Sequence, residues 1–309
     1  MTVNIKVLDS PIARSRSRIL DYMELMKPEL TLLSVLTTLC GFYLATKSSF
    51  DWMLFINTAI GTTLVGGGAG ALNQYIERSY DALMKRTERR PLPTGRLLPL
   101  EVLIFGSVIS IAGLLELTFF TNYLTGFLAF LTWSTYLFLY TPLKRVTTLS
   151  TLIGGLPGAI PPMMGWAAVR NNLGIEAWIL FAILFCWQMP HFFSLAWMYR
   201  KDYARAVFKI LTVFDESGLR TSRQIIIYLI ALIPASLAPA FAGMTGSFST
   251  VSSLFLGIGF LIFGIALMKF SHQSTGESLT KVNYYTRKLF FASLIYLPVL
   301  MIIMSLDKL

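Results

Sequence analysis

The chain is short of charge. Of its 309 residues only 14% are Asp, Glu, Lys or Arg, whereas 55% are hydrophobic. Soluble domains carry roughly a quarter charged residues, so too little polar side chain is present to cover a water-soluble globule. Cysteine is almost absent: Cys40 and Cys186 stand alone, each inside an apolar run. That excludes a disulfide framework, a CxxC redox pair and a zinc-finger spacing, and leaves both as inert packing. Histidine is equally rare, with His191 in an apolar run and His272 in a polar stretch without partners, to which no role is assigned. The pattern expected of a cleavable signal is not found either, because Met1 to Lys27 is polar and Arg-rich rather than a short apolar core followed by small residues. The net charge of +10 gives no case for a nucleic-acid partner, since charge in a membrane protein mostly sets topology.

What the chain has in quantity is apolar runs of about 20 residues, the length that crosses a bilayer core as helix. Their approximate spans are Leu30–Thr46, Trp52–Tyr75, Leu97–Thr118, Tyr123–Tyr140, Thr148–Val169, Ala177–Tyr199, Arg223–Phe241, Val251–Phe270 and Leu289–Leu306. The expected fold is all-α, a polytopic transmembrane bundle of about nine helices forming one domain over residues 28–309. Residues 1–27 are expected to be a flexible cytoplasmic arm, whose Ser-Arg repetition from Arg14 to Arg18 suits either a disordered tail or a membrane-surface anchor. All 26 lysines and arginines except Lys47, Arg170 and Lys308 fall in the arm or beside the connections after the second, fourth, sixth and eighth spans. So one-sided a distribution predicts a cytoplasmic N-terminus and an outside C-terminus in a bacterial inner membrane.

The densest chemistry follows the second span. Asn73, Glu77 and Asp81 are spaced four apart. On a helix they fall within about 80° of arc, a narrow face about 12 Å long. Arg78, Lys85, Arg86, Arg89, Arg90 and Arg96 crowd in behind them. Hard oxygen ligands beside guanidinium groups suit Mg²⁺ and a polyphosphate. Glycines 66, 67, 68 and 70 lead into this face, and serve either close helix packing or a ligand lying against bare backbone. The fifth span is broken by Pro161 and Pro162, which suits a bent wall around a cavity or a plain kink. The sixth carries Gln188 and His191, expensive in an apolar span and therefore turned inward. If its helix runs on to Asp202, these three share a face within about 60°. Acid-bearing loops after the second and sixth spans lie on one membrane side, consistent with four helices repeated and a ninth appended. The chemistry that fits is ionisation of an allylic diphosphate in a dry cavity and capture of the carbocation by an electron-rich acceptor. A secondary transporter would share the broken helices and repeats but would place its ionisable residues nearer the midplane. A non-catalytic assembly factor would leave the acid–base clustering unexplained.

These residues carry a resemblance. The run Asn73, Glu77, Asp81, Met84, Arg86, Thr87, Arg90, Pro91, Leu92 is similar to the first aspartate-rich signature of the UbiA-type intramembrane prenyltransferases. Its Met-x-Arg-Thr-x-x-Arg-Pro-Leu part resembles the haem-modifying branch of that family. Three more segments agree with that branch: Tyr140 to Arg145, Gly158 to Pro162 with Gly165-Trp166, and Trp187 to Phe192. The resemblance covers about residues 20 to 305 and implies transfer of farnesyl from farnesyl diphosphate to a vinyl group of haem b, with Mg²⁺ as cofactor. An aromatic acceptor of quinone biosynthesis is the alternative within the family. It further implies that Asn73, Glu77, Asp81 and Asp202 hold the metal and act in catalysis. Arg86, Arg90, Lys144, Arg145, Tyr140, Gln188 and Tyr203 would line the substrates, with His191 orienting or ligating haem iron or assisting proton movement. A haem A synthase or an oxidase assembly factor is the implied protein partner, beside membrane lipid. Two departures stand out. Glu77 replaces the family's usual Asp, and Val207 to Thr212 replaces a Gly-Ile-Pro-Met-Leu-Pro type of turn. The turn is therefore expected to be more helical, with Lys209 adding a phosphate contact.

Overall fold

A computed structural model describes residues 17–47, 49–271 and 276–309. Helices follow one another along the chain: α1 (Arg18–Leu25), α2 (Pro28–Ala45), α3 (Trp52–Asp81), α4 (Pro99–Phe119) and α5 (Tyr123–Ser134). A π-helical turn over Thr135–Tyr140 continues α5 into α6 (Thr141–Leu143), so that 123–143 form one rod. Then come α7 (Ser150–Ala159), α8 (Pro161–Arg170), α9 (Ile175–Met198), α10 (Arg200–Arg205), α11 (Leu211–Phe214), α12 (Leu219–Phe241), α13 (Ser247–Ser271) and α14 (Gly276–Leu306). Eight helical spans are long and apolar enough to cross a membrane. α3 is the ninth long helix among the described residues, its apolarity diluted by glycine, threonine and a polar last third. The chain is an integral membrane protein with the expected all-α architecture.

The segment from Arg18 is helical, with Asp21 and Leu25 buried, so the arm expected over 1–27 ends earlier than residue 27. Arg96 holds it, donating from Nε to Asp21 at 2.8 Å, and Leu25 packs with Ala71, Leu92, Leu97 and Val102. Residues 1–16, with most of the Ser-Arg repetition, and His272 lie outside the described residues.

The pairing of α3 with α4 buries small residues and turns branched aliphatics outward. On α4, Gly106, Ser110 and Gly113 are directed at α3, while Ile104, Val108, Ile111 and Leu115 are half exposed or more along the opposite stripe. An apolar stripe of that kind is a lipid-facing surface. The glycine run of α3 resolves in favour of packing: a Cβ on Gly68 would overlap Ser110 Oγ and approach the Gly106 carbonyl oxygen to 2.9 Å. One on Gly67 would meet Met26 at 2.5 Å, and one on Gly70 the Leu25 carbonyl oxygen at 3.0 Å. Protein, not ligand, covers the bare backbone there. The broken fifth span is two helices meeting at Ile160, and the second crosses α2 closely enough that a Cβ on Gly165 would overlap Thr38 O. Asn122 Nδ2 ties that second piece at the opposite end by donating to the carbonyls of Ala167 (2.8 Å) and Ala168 (3.1 Å).

Candidate active site

α3 stays helical through Asp81, which puts Asn73, Glu77 and Asp81 on one buried face, exposed by only 1%, 6% and 1%. Each meets a cation. Lys27, between α1 and α2, donates to Asn73 Oδ1 at 2.5 Å and reaches the Tyr136 hydroxyl at 3.4 Å. Lys144, just past α6, grips both Glu77 oxygens at 2.9 and 3.1 Å and stands 4.5 Å above the Tyr140 ring. Arg90 Nη1 donates to Asp81 Oδ2 at 2.8 Å. Thr141 fixes the amide of Asn73 by accepting from its Nδ2 at 3.0 Å, which leaves the carbonyl oxygen directed at Lys27. The π turn lets Tyr136 and Tyr140 lie side by side, ring centroids 5.6 Å apart, on the rod that delivers Thr141 and Lys144.

The electrostatics divide the two lysines. Burial works against the Lys144 ammonium, but the adjacent Glu77 carboxylate more than offsets it and holds the group above the usual lysine range. Burial, reinforced by the Arg90 guanidinium, pulls Lys27 down to about 7 while Glu77 works in the other direction. Three basic side chains thus meet two carboxylates, a set suited to a multiply charged anion. An incoming anion would favour the charged form of Lys27.

The second acid-bearing segment docks onto this site through backbone and rings. The Lys209 amide donates to the Lys144 carbonyl at 2.7 Å, and Phe208 stacks on Tyr80 with centroids 5.6 Å apart. Met84, Ala196, Ala206, Phe208 and Ile210 form a small core between the two segments, with Tyr203 packed against it. Arg145 donates to the Tyr80 hydroxyl at 3.1 Å, and Arg86 lies 5.0 Å from the Tyr199 ring.

A model of the UbiA prenyltransferase family matches residues 34–295. The chain belongs to that family. Among curated relatives of this UbiA-family chain, the protoheme IX farnesyltransferase of Solibacter usitatus (strain Ellin6076) is 43% identical over 297 residues, spanning 93% of this chain and 98% of the relative. The protoheme IX farnesyltransferase of Koribacter versatilis (strain Ellin345) is 42% identical over 292 residues, spanning 93% of each. A UbiA homologue from Archaeoglobus fulgidus bound to DMAPP and Mg²⁺ shares the fold, with a TM-score of 0.64, 13% identity, and coverage of 90% of this chain and 99% of that one. A digeranylgeranylglyceryl phosphate synthase structure superposes with a TM-score of 0.74 at 15% identity, covering 93% and 99%. The protein is therefore an enzyme, a membrane-embedded prenyltransferase.

Within this UbiA-family site the residues fit a divalent cation held jointly with phosphate. Asp81 Oδ1 is buried with no hydrogen-bond partner, an oxygen left over after Arg90 has taken the other. No group of three or more His, Cys, Asp or Glu that could hold a metal occurs among the described residues. Mg²⁺ is ordinarily bound by one or two carboxylates completed by substrate phosphates and water. Hard oxygens without a closed cage match that habit.

Some sequence expectations end elsewhere. Helix α9 stops at Met198 and Tyr199 leaves the helical region (φ −104°, ψ 16°), so Asp202 lies in a separate helix and does not continue the face of Gln188 and His191. Asp202 instead pairs with Arg205. Gln188 and His191 themselves diverge: Gln188 Nε2 donates to the Gly155 carbonyl on α7 at 2.7 Å, whereas His191 Nδ1 meets Ser293 Oγ on α14 at 2.8 Å. The turn after Asp202 is not helical from Val207 to Ile210, and the Lys209 side chain is exposed. Val207 occupies the left-handed region at φ 57°, a conformation that favours glycine. The bonds from Phe208 N to Tyr203 O (3.0 Å) and from Lys209 N to Lys144 O over-determine that conformation. Lys27, Tyr136, Thr141 and Phe208 join the site without having been singled out in the sequence. The one available signal was Lys27-Pro28-Glu29, a lysine set against a helix-starting proline at the edge of an apolar run.

Proposed function

We propose that this enzyme transfers a farnesyl group from farnesyl diphosphate to a vinyl group of haem b, giving haem O. The observation that carries the reaction class is the buried Asn73–Glu77–Asp81 ladder, matched by Lys27, Lys144 and Arg90 at one end of an apolar bundle. The acceptor is supported by the name shared by relatives aligned along nearly the whole chain. Mg²⁺, held by Asp81, Glu77 and Asn73 with Asp202 contributed from the second acid-bearing segment, would supply charge neutralisation to the diphosphate.

The chain's own residues do the rest. Lys144, Arg90 and Lys27 bind the diphosphate and stabilise the charge that grows on it as the allylic C–O bond breaks and its electron pair leaves with oxygen. Arg86 and Arg145, seated on Tyr199 and Tyr80, extend that positive rim. Tyr136, Tyr140 and Phe208 line the approach with ring faces that tolerate a cation and keep water from the allylic carbon. The vinyl π electrons form the new C–C bond, and water then captures the resulting cation and releases a proton. The one-sided lysines and arginines support a cytoplasmic location for this end of the bundle in a bacterial cell, with the C-terminus outside. A haem A synthase or oxidase assembly factor is the partner class that would take the product.

Full-length protein in detergent, given haem b, farnesyl diphosphate and Mg²⁺, should yield haem O by chromatography and mass. No haem product, with prenylation of 4-hydroxybenzoate in the parallel reaction, would replace the acceptor while leaving the donor site intact.

A further inference from the structure

α1 and α2 meet at an elbow made of Met26, Lys27 and Pro28. A helix leaves its last carbonyls without partners, and a left-handed residue just past the end usually lets the next two amides turn back to them. Lys27 fills that place, at φ 48° and ψ 65°, and its amide donates to the Glu24 carbonyl at 3.2 Å. The second bond cannot form, because the next residue is Pro28 and has no N–H. The end of α1 is one donor short. Lysine also runs against the local geometry. The left-handed region favours glycine, and a following proline favours extended backbone in its predecessor. A conformation held against both preferences points to a use for the side chain it carries.

α3 supplies what the elbow lacks. Gln74, only 1% exposed, donates from Nε2 to the carbonyls of Glu24 at 3.1 Å and Leu25 at 3.2 Å, the last two residues of α1. One turn earlier on the same face, Gly70 leaves room for the approach. A Cβ there would stand 3.0 Å from the Leu25 carbonyl oxygen and 3.2 Å from that of Met26. Thr31 Oγ1 donates to the Met26 carbonyl at 2.7 Å, which closes the other side of the elbow. Gln74 Oε1 is buried without a partner, so the residue is held through its nitrogen alone. Its neighbour along α3 is Asn73, whose Oδ1 accepts from the Lys27 ammonium at 2.5 Å. One turn of α3 thus grips the elbow by its backbone and receives the side chain that the elbow delivers.

We propose that Gln74 is a positioning residue for prenyl transfer: by donating to the open end of α1 it fixes the backbone of Lys27, and with it the ammonium that meets the diphosphate. The proposal rests on the diphosphate-site reading above. A glutamine that only filled space between α1 and α3 would be replaceable by methionine, which is as long and adapts its shape. One that works through Lys27 matters to the anion only while Lys27 is there.

The test uses full-length protein in lipid nanodiscs and reads the binding of inorganic diphosphate with Mg²⁺ by titration calorimetry. Lys27→Met should weaken binding roughly tenfold to a hundredfold, the loss of one charge-assisted hydrogen bond. Gln74→Met should weaken it roughly threefold to tenfold. Gln74→Glu, which sets an acceptor against two carbonyls, should weaken it at least as much. In the Lys27→Met background neither change should weaken it further. Gly70→Ala crowds the same carbonyls while removing no hydrogen bond, and it too should weaken binding only where Lys27 is present. Unchanged affinity in Gln74→Met, or a loss of equal size with and without Lys27, would overturn the positioning role and leave the diphosphate site standing. For a Gln74 variant that does not fold, the same two results in Gly70→Ala would do so. Wild-type protein that binds no diphosphate would overturn the site reading, and this proposal with it.

Discussion

Lys144→Met takes the ammonium away from Glu77 and leaves a carboxylate whose side chain is only 8% exposed without its counter-charge. Breaking a buried pair from one side costs about 3–5 kcal/mol, whereas replacing both partners by apolar residues of similar volume is often neutral. The Lys144 side chain is 12% exposed, so the discount for solvent screening is small. The pair borders the substrate space, however, which favours the low end, about 3 kcal/mol for Lys144→Met and about the same for Glu77→Leu. The double variant should be more stable than either single one, an interaction larger than about 3 kcal/mol. Unfolding in mixed micelles of rising SDS content, followed by tryptophan fluorescence, measures all four proteins. Prenyl transfer should fall roughly 10²–10³-fold in all three variants, because each loses a group that holds the metal or meets the developing charge. Stability restored without activity is the signature of an ion pair that serves the reaction. Strictly additive stability losses would refute the reasoning, since the two residues would then not act as a pair.

Three other outcomes follow from the geometry. Asp81→Asn keeps the shape but removes the charge behind the unpartnered Oδ1, and should cut Mg²⁺-dependent transfer by about 10³-fold while the helical circular dichroism stays unchanged. Val207→Gly relieves a left-handed β-branched residue by about 1–2 kcal/mol and gives back about 0.5–1 in chain entropy. It should therefore raise the unfolding midpoint slightly, and a lowered one would contradict the strain. Gly165→Ala places a methyl group on the Thr38 carbonyl and should cost about 1–3 kcal/mol through separation of α2 and α8, read as a lower midpoint in the same assay.

Much of this could be read from the residue pattern because the membrane simplifies the problem. Apolar length marks the spans, and the one-sided lysines and arginines give their alternation. The four-residue spacing of Asn73, Glu77 and Asp81 survives because nothing between them breaks α3. The same logic failed at Asp202, where Tyr199 ends the helix and resets the face. A helical wheel carries no information about where a helix stops. Lys27 and Thr141 were not legible for a related reason. They come from segments 46 and 68 residues away from Asn73, and only the packing of α1, α2 and the π turn on α3 brings them to it. The glycine run remained ambiguous until its neighbours were known, since the same bare backbone serves a helix or a ligand.

The most direct measurement of the proposed chemistry is the mass of the haem product formed from deuterium-labelled farnesyl diphosphate in water enriched in oxygen-18. Transfer to a vinyl group followed by capture by water predicts haem that gains one labelled farnesyl group and one oxygen-18 atom together, dependent on Mg²⁺ and lost in Asp81→Asn. Haem recovered at its starting mass, while the labelled prenyl group appears on a phenolic acceptor or as free alcohol, would contradict it.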